Sequence, residues 1–119
     1  MSNEELLFEL FANKYSRAIL SHTAVNDCSA SQLSQELDIP LATVYRKLKL
    51  LEDAGLIQHV KTIINTWGNE EKYYRCAAHE AVVHINGSGV SIDLKKEDRS
   101  DKIIRLWRRI AHPDIKGDH

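Results

Sequence analysis

The sequence predicts an α+β fold: helices fill the first half, strand pairs the second, and one more helix closes the chain. Three observations carry this. Between Ser29 and Gly55 two helical segments are joined by a tight turn and stopped by glycine. Downstream, four strand candidates flank two turn signals, Asn65 to Glu71 and Asn86 to Gly89. Finally, Ile103, Ile104, Trp107 and Ile110 recur at helical spacing before Pro113.

Taken in order, Asn3 can cap a first helix with Leu6, Leu7, Leu10 and Phe11 on one face, and Glu4 and Glu5 favour its positive dipole end. The pattern breaks near Asn13, and a second helix carries Tyr15, Ala18, Ile19 and Leu20 towards a polar loop, Thr23 to Cys28. Ser29 and Gln32 have capping-box spacing ahead of a short helix from Ala30 to Leu37, which buries Leu33 and Leu37. Asp38, Ile39 and Pro40 form the turn, because proline costs little at a helix start. The next helix, Leu41 to Ala54, places Val44, Leu48 and Leu51 inward. Ala42, Arg46, Lys49 and Asp53 face outward, with Thr43, Tyr45 and Lys47 on the flanks. Gly55 supplies a left-handed stop. Two helices so joined are the layout by which a helix-turn-helix presents its second helix to the major groove of DNA.

Leu56 to Ile64 and Lys72 to Cys76 are strand candidates around a tip, Asn65 to Glu71, expected to be flexible. Together they would form a wing. A second short hairpin follows, Ala81 to Asn86 and Val90 to Leu94, turned at Asn86-Gly87-Ser88-Gly89. Asp98 or Ser100 can cap the last helix.

Composition narrows the class. At 119 residues, 43% apolar and 28% charged, the chain fits one soluble domain with a modest core. It has no apolar run of the roughly 20 residues that cross a bilayer, and an acidic start, so a cytoplasmic protein without membrane contact is expected. Cys28 and Cys76 are far apart and form no CxxC pair, which argues against a disulfide framework or zinc ribbon. The net charge of −1 is not that of a nonspecific nucleic-acid coater. Its distribution is uneven. Up to Ile39, Lys14 and Arg17 stand against Glu4, Glu5, Glu9, Asp27, Glu36 and Asp38. From Pro40 to Cys76, Arg46, Lys47, Lys49, Lys61, Lys72 and Arg75 outweigh Glu52, Asp53, Glu70 and Glu71.

The segment Tyr15 to Cys76 resembles the ArsR-like winged helix-turn-helix regulators, the archaeal members especially. The resemblance rests on YSRAIL at Tyr15 to Leu20, SQLSQELDI at Ser31 to Ile39, ATVYRKLKLLEDAGLI at Ala42 to Ile57 and KYYRC at Lys72 to Cys76. It covers about half the chain and is most specific in LEDAGLI. It implies a winged helix-turn-helix with a trihelical core and a β-hairpin wing, to which the residue pattern adds the second short hairpin and the C-terminal helix. The expected organisation is one domain over 1–119, with core and wing in 1–76 and a dimerisation extension in 77–119. The partners it implies are double-stranded DNA and a second copy of the chain. Carried over residue by residue, Thr43, Tyr45, Arg46 and Lys49 would face the groove, with Lys47 near a phosphate. Metal-sensing members carry paired cysteines in the helix that here spans Ala30 to Leu37, and this sequence has none there. Their last-helix ligands are not recognisable in Asp101 to His112 either, so no metal and no cofactor is assigned.

The chemistry of the residues supports the same sites. Arg46 can donate two bonds to a guanine edge, and Lys49 can reach guanine or phosphate. Tyr45 could meet a phosphate or a thymine methyl, or pack over the start of the wing. Thr43 lies in the first turn, where hydroxyl and backbone N–H groups meet phosphate. Lys61, Lys72 and Arg75 could follow the DNA backbone or enter a minor groove, against Glu70 and Glu71 at the tip. Trp67 there is exposed or packs on a partner subunit. Cys76, His79 and His84 can each ligate zinc, but their spacing matches no structural site. Cys28 follows Asp27, which would not lower its pKa. No catalytic motif is present, so an enzyme is not expected. Two other readings stand beside DNA binding: a winged helix used for protein contacts, which the near-zero charge and acidic tip favour, and a ligand or redox sensor using Cys76 to His84. The sequence names no effector.

Overall fold

The computed structural model describes residues 3–96. The expected C-terminal helix, Asp101 to Ala111, lies outside them. The elements run α1 (Asn3–Ala12), α2 (Lys14–Val25), β1 (Cys28–Ser29), α3 (Ala30–Leu37), α4 (Leu41–Asp53), β2 (Ile57–Ile64), β3 (Glu70–Cys76), β4 (Ala78–Asn86) and β5 (Gly89–Lys96). The α+β architecture is a helical body with a three-stranded antiparallel sheet in the order β1-β3-β2 and a separate two-stranded sheet, β4-β5.

Each helix begins and ends for a local reason. Asn13 separates α1 from α2 and caps α2, its side chain accepting from the Ser16 N–H at 3.0 Å. Ser29 and Gln32 make both capping-box bonds, Ser29 Oγ accepting from Gln32 N at 3.2 Å and Gln32 Oε1 accepting from Ser29 N at 3.1 Å. At the other end of α3, Asp38 takes the left-handed conformation (φ 55°), which a short polar side chain tolerates better than most. The turn is then held from both sides of Ile39: its N–H donates to Ser34 O at 3.2 Å and its carbonyl accepts from Ser34 Oγ at 2.6 Å. Pro40 stands at the N-cap of α4, and Leu41 to Asp53 is helical, one residue short of the expected end. Gly55, at φ +79°, completes a Schellman closure in which Gly55 N donates to Glu52 O and Leu56 N to Leu51 O, both at 2.9 Å.

The core forms where these elements turn their apolar faces together. Ile19 of α2, Leu33 of α3, Val44, Leu48 and Leu51 of α4, and Leu56 and Ile57 at the start of β2 are almost wholly buried, and Leu7 and Leu10 bring α1 onto them. Burying each such side chain contributes about 1.5–3 kcal/mol. Ile39 is also buried, so the turn itself is an anchor. Leu37, expected in the core, is only half-buried at the end of α3.

The sheets depart from expectation in three respects. Strand β1, only two residues long, pairs Cys28 with Tyr74 and Ser29 with Tyr73, and so ties the entry to α3 to the wing. The wing tip is a closed turn: Asn65 Oδ1 accepts from the N–H groups of Trp67 and Asn69 at 2.9 and 3.0 Å, and Asn65 N donates to Asn69 O at 2.8 Å. One asparagine side chain thus organises the tip into a hydrogen-bonded turn. The second hairpin, of nine and eight residues, is no shorter than the wing, and it belongs to neither the wing sheet nor β1. Its strand β5 packs against α1, burying Ile92.

Candidate nucleic-acid interface

Because Val44, Leu48 and Leu51 are drawn into the core, the helical period turns Ala42, Tyr45, Arg46 and Lys49 outward, and all four are exposed. Tyr45 is 57% exposed, a large ring standing clear of the protein. Lys49 lies 3.6 Å from Asp53 on its own helix. An exposed i,i+4 pair of this kind contributes about 0.3–0.5 kcal/mol and is readily exchanged for a stronger partner. Thr43, in the first turn, is half-buried.

The wing and α4 enclose a groove of about 300 Å³. Tyr45 and Lys72 meet in its lining, with Ser31 from the first turn of α3, Tyr74 from β3 and the acidic pair Glu70 and Glu71. Ser31 and Tyr74 were not singled out from the sequence. Ser31 becomes relevant because β1 pulls the start of α3 against β3, a two-residue pairing with no sequence signature. Burial raises the pKa of the Tyr74 phenol, helped by the nearby Glu52 carboxylate and by Tyr45, so it remains a protonated hydroxyl beside the groove.

The other basic residues divide by surroundings. Lys72 is exposed on β3 opposite Thr62. Lys61 places its ammonium 5.1 Å from the centre of the Tyr73 ring, an exposed cation–π contact within the wing. Lys47 lies elsewhere: it is half-buried in a cleft on the α1 side, lined also by Leu6, Glu9, Leu10 and Leu50. Arg75 differs from the expected backbone contact. Its Nε and Nη2 donate to Asp27 Oδ1 and Oδ2 at 2.8 and 3.0 Å, a two-pronged bond in a partly buried setting.

The residues considered for metal or redox chemistry are not gathered into a centre. His84 Nε2 lies 2.9 Å from Asp93 Oδ2 across the second hairpin, and the Cys76 thiol donates to Ala78 O at 3.0 Å. Among the described residues no three His, Cys, Asp or Glu side chains stand together as metal ligands. Cys28 is buried, and its thiol donates to the carbonyl of Asn26 at 3.3 Å. Desolvation raises its pKa, with Glu36 and Asp27 acting in the same direction, so the reactive thiolate is disfavoured.

A helix standing with one face clear of a trihelical core, with a β-hairpin wing beside it, defines the class: a winged helix-turn-helix fold. A helix-turn-helix domain family matches residues 11–60, which take in α2, α3, α4 and the start of β2. Among solved structures, the chain is similar to reduced HlyU from Vibrio cholerae at 18% identity and a TM-score of 0.51, covering 88% of this chain and 84% of that one. It also aligns with an ArsR family transcriptional regulator at 16% identity and a TM-score of 0.42, over 94% and 89% of the two chains. No curated protein sequence matches it. Among the described residues no helix is long and apolar enough to cross a membrane.

Proposed function

We propose that the chain is a transcription regulator that binds double-stranded DNA sequence-specifically, as a homodimer, through α4. The observation that carries this reading is the outward face of α4: Tyr45, Arg46 and Lys49 are exposed together on a helix whose opposite face is locked into the core. A rigidly seated helix can hold base contacts in register, which a mobile one cannot. In this reading Arg46 forks onto a guanine edge and Lys49 reaches guanine or phosphate. Thr43, Tyr45 and Lys72 hold the phosphate backbone around the groove between α4 and the wing. Lys47, on the α1 side, reaches at most a flanking phosphate. Dimerisation falls to α1 and to residues 77–119, within one domain spanning the chain. Two recognition helices would then meet successive major grooves about 34 Å apart.

Binding to a duplex from the protein's own promoter region tests the assignment. Arg46→Ala with Lys49→Ala should weaken it at least tenfold, since each good base contact is worth about 1–3 kcal/mol. Undiminished affinity would sink the assignment of α4. A second reading, a module that contacts protein, draws on exposed Glu70 at the wing tip and on the Lys49–Asp53 pair. It predicts that the isolated protein neither binds heparin nor shifts labelled duplex in a salt-dependent way.

A further inference from the structure

Among the described residues, the most exposed large apolar side chain is Trp67, 83% exposed at the tip of the wing. The turn that carries it is closed without its ring. Asn65 Oδ1 accepts from the N–H groups of Trp67 and Asn69, Gly68 N donates to Asn65 O at 3.0 Å, and Gly68 supplies the left-handed residue at φ +80°. The indole adds no packing to the fold, yet its backbone is fixed. Ile63 and Ile64 beside it are exposed as well, so the tip is more than a single stray apolar residue. Aromatic rings on rigid mounts are suited to recognition, because little freedom is lost when they make contact.

The surroundings of Trp67 fit duplex DNA. Thr66 to Asn69 carry no charge, and the half-buried Glu71 carboxylate accepts from Asn65 Nδ2 at 3.3 Å. Glu70 is exposed at the base of the turn, on the same strand face as Lys72 two residues on, which offsets its charge. Lys72 in turn lines the groove it shares with Tyr45 of α4. The tip lies two paired residues and a turn beyond Lys72, roughly 10 Å away. With Lys72 on the phosphate row that borders the major groove entered by α4, that step crosses the row. It brings the tip over the neighbouring minor groove, about 6 Å wide.

We propose that Trp67 enters this minor groove and selects A·T over G·C pairs there, an inference that rests on α4 reading the adjacent major groove. The indole N–H is a donor and accepts nothing. In the minor groove, A·T and T·A pairs show only acceptors, adenine N3 and thymine O2, whereas G·C adds the guanine 2-amino donor. Trp67 therefore finds a partner on the first and meets a competing donor on the second. Two donors left facing each other lose affinity.

The test uses the duplex recovered by selection from random DNA, with the pairs flanking each half-site made all A·T, all G·C or all I·C. Inosine is guanine without its 2-amino group, so I·C keeps the G·C acceptors in the major groove but matches A·T in the minor one. The parent protein should bind the A·T and I·C duplexes alike, and the G·C duplex about fivefold or more weakly. Trp67→Ala should bind all three alike, and the exposure of the ring means that the variant keeps its fold. Trp67→Phe, which retains a ring but no N–H, should also lose the preference. Arg46→Ala with Lys49→Ala should weaken all three while preserving their ratio, which separates a failure of the α4 assignment from a failure of this one. Equal binding of A·T and G·C flanks by the parent, I·C behaving as G·C, or a preference that survives Trp67→Ala would overturn the proposal.

Discussion

The Arg75–Asp27 pair fixes where the wing springs from the helical body. An arginine on a basic wing strand is available to phosphate in principle, but here both prongs of its guanidinium are held by the carboxylate that precedes β1. The sequence does not reveal this, because the partners stand 48 residues apart and come together only when β1 pairs with β3. Asp27→Asn would leave a partly buried guanidinium with a neutral acceptor. It should lower the denaturant midpoint by the equivalent of about 1–2 kcal/mol with little change in slope. A change below a few tenths would show that Arg75 finds an equal partner in water. Arg46 and Lys49 present the contrary case: their exposure was legible from the sequence, because it follows from the helical period alone once Val44, Leu48 and Leu51 are recognised as core.

The helix-turn-helix is the element most completely written in local sequence. Its capping box, proline N-cap and glycine closure are each short-range devices, which is why α3 and α4 fall where the residues place them. Ser29 does two jobs at once, its backbone in β1 and its side chain opening α3. Ser29→Ala should therefore cost about 1 kcal/mol from the lost cap, read as a lower thermal midpoint. A shift indistinguishable from zero would mean that pairing with Tyr73, not the cap, starts the helix. The wing and second hairpin were less legible. Alternation and turn residues locate strands, but they do not say that Asn65 closes the tip or that β4 and β5 form a sheet of their own.

For the molecule as a whole, the proposed dimer makes a symmetry prediction. Selection from random duplexes should return a dyad-symmetric site whose half-sites lie one helical turn apart. Recovery of a single asymmetric half-site would argue for a monomeric reader. Lys72→Ala should flatten the slope of log affinity against log salt, whereas Arg75, held by Asp27, should contribute little to that slope.

The sequence by itself determined the helix order, the turn, the inward and outward faces of α4 and the existence of two hairpins, since all of these follow from periodicity, capping and turn chemistry within a few residues. Only the tertiary structure decided that Arg75 is tied to Asp27, that Lys47 faces α1, and that Ser31 and Tyr74 join Tyr45 and Lys72 around one groove. Those outcomes depend on which distant surfaces meet. Pairing across tens of residues is set by the packing of the whole core, and no local pattern encodes it.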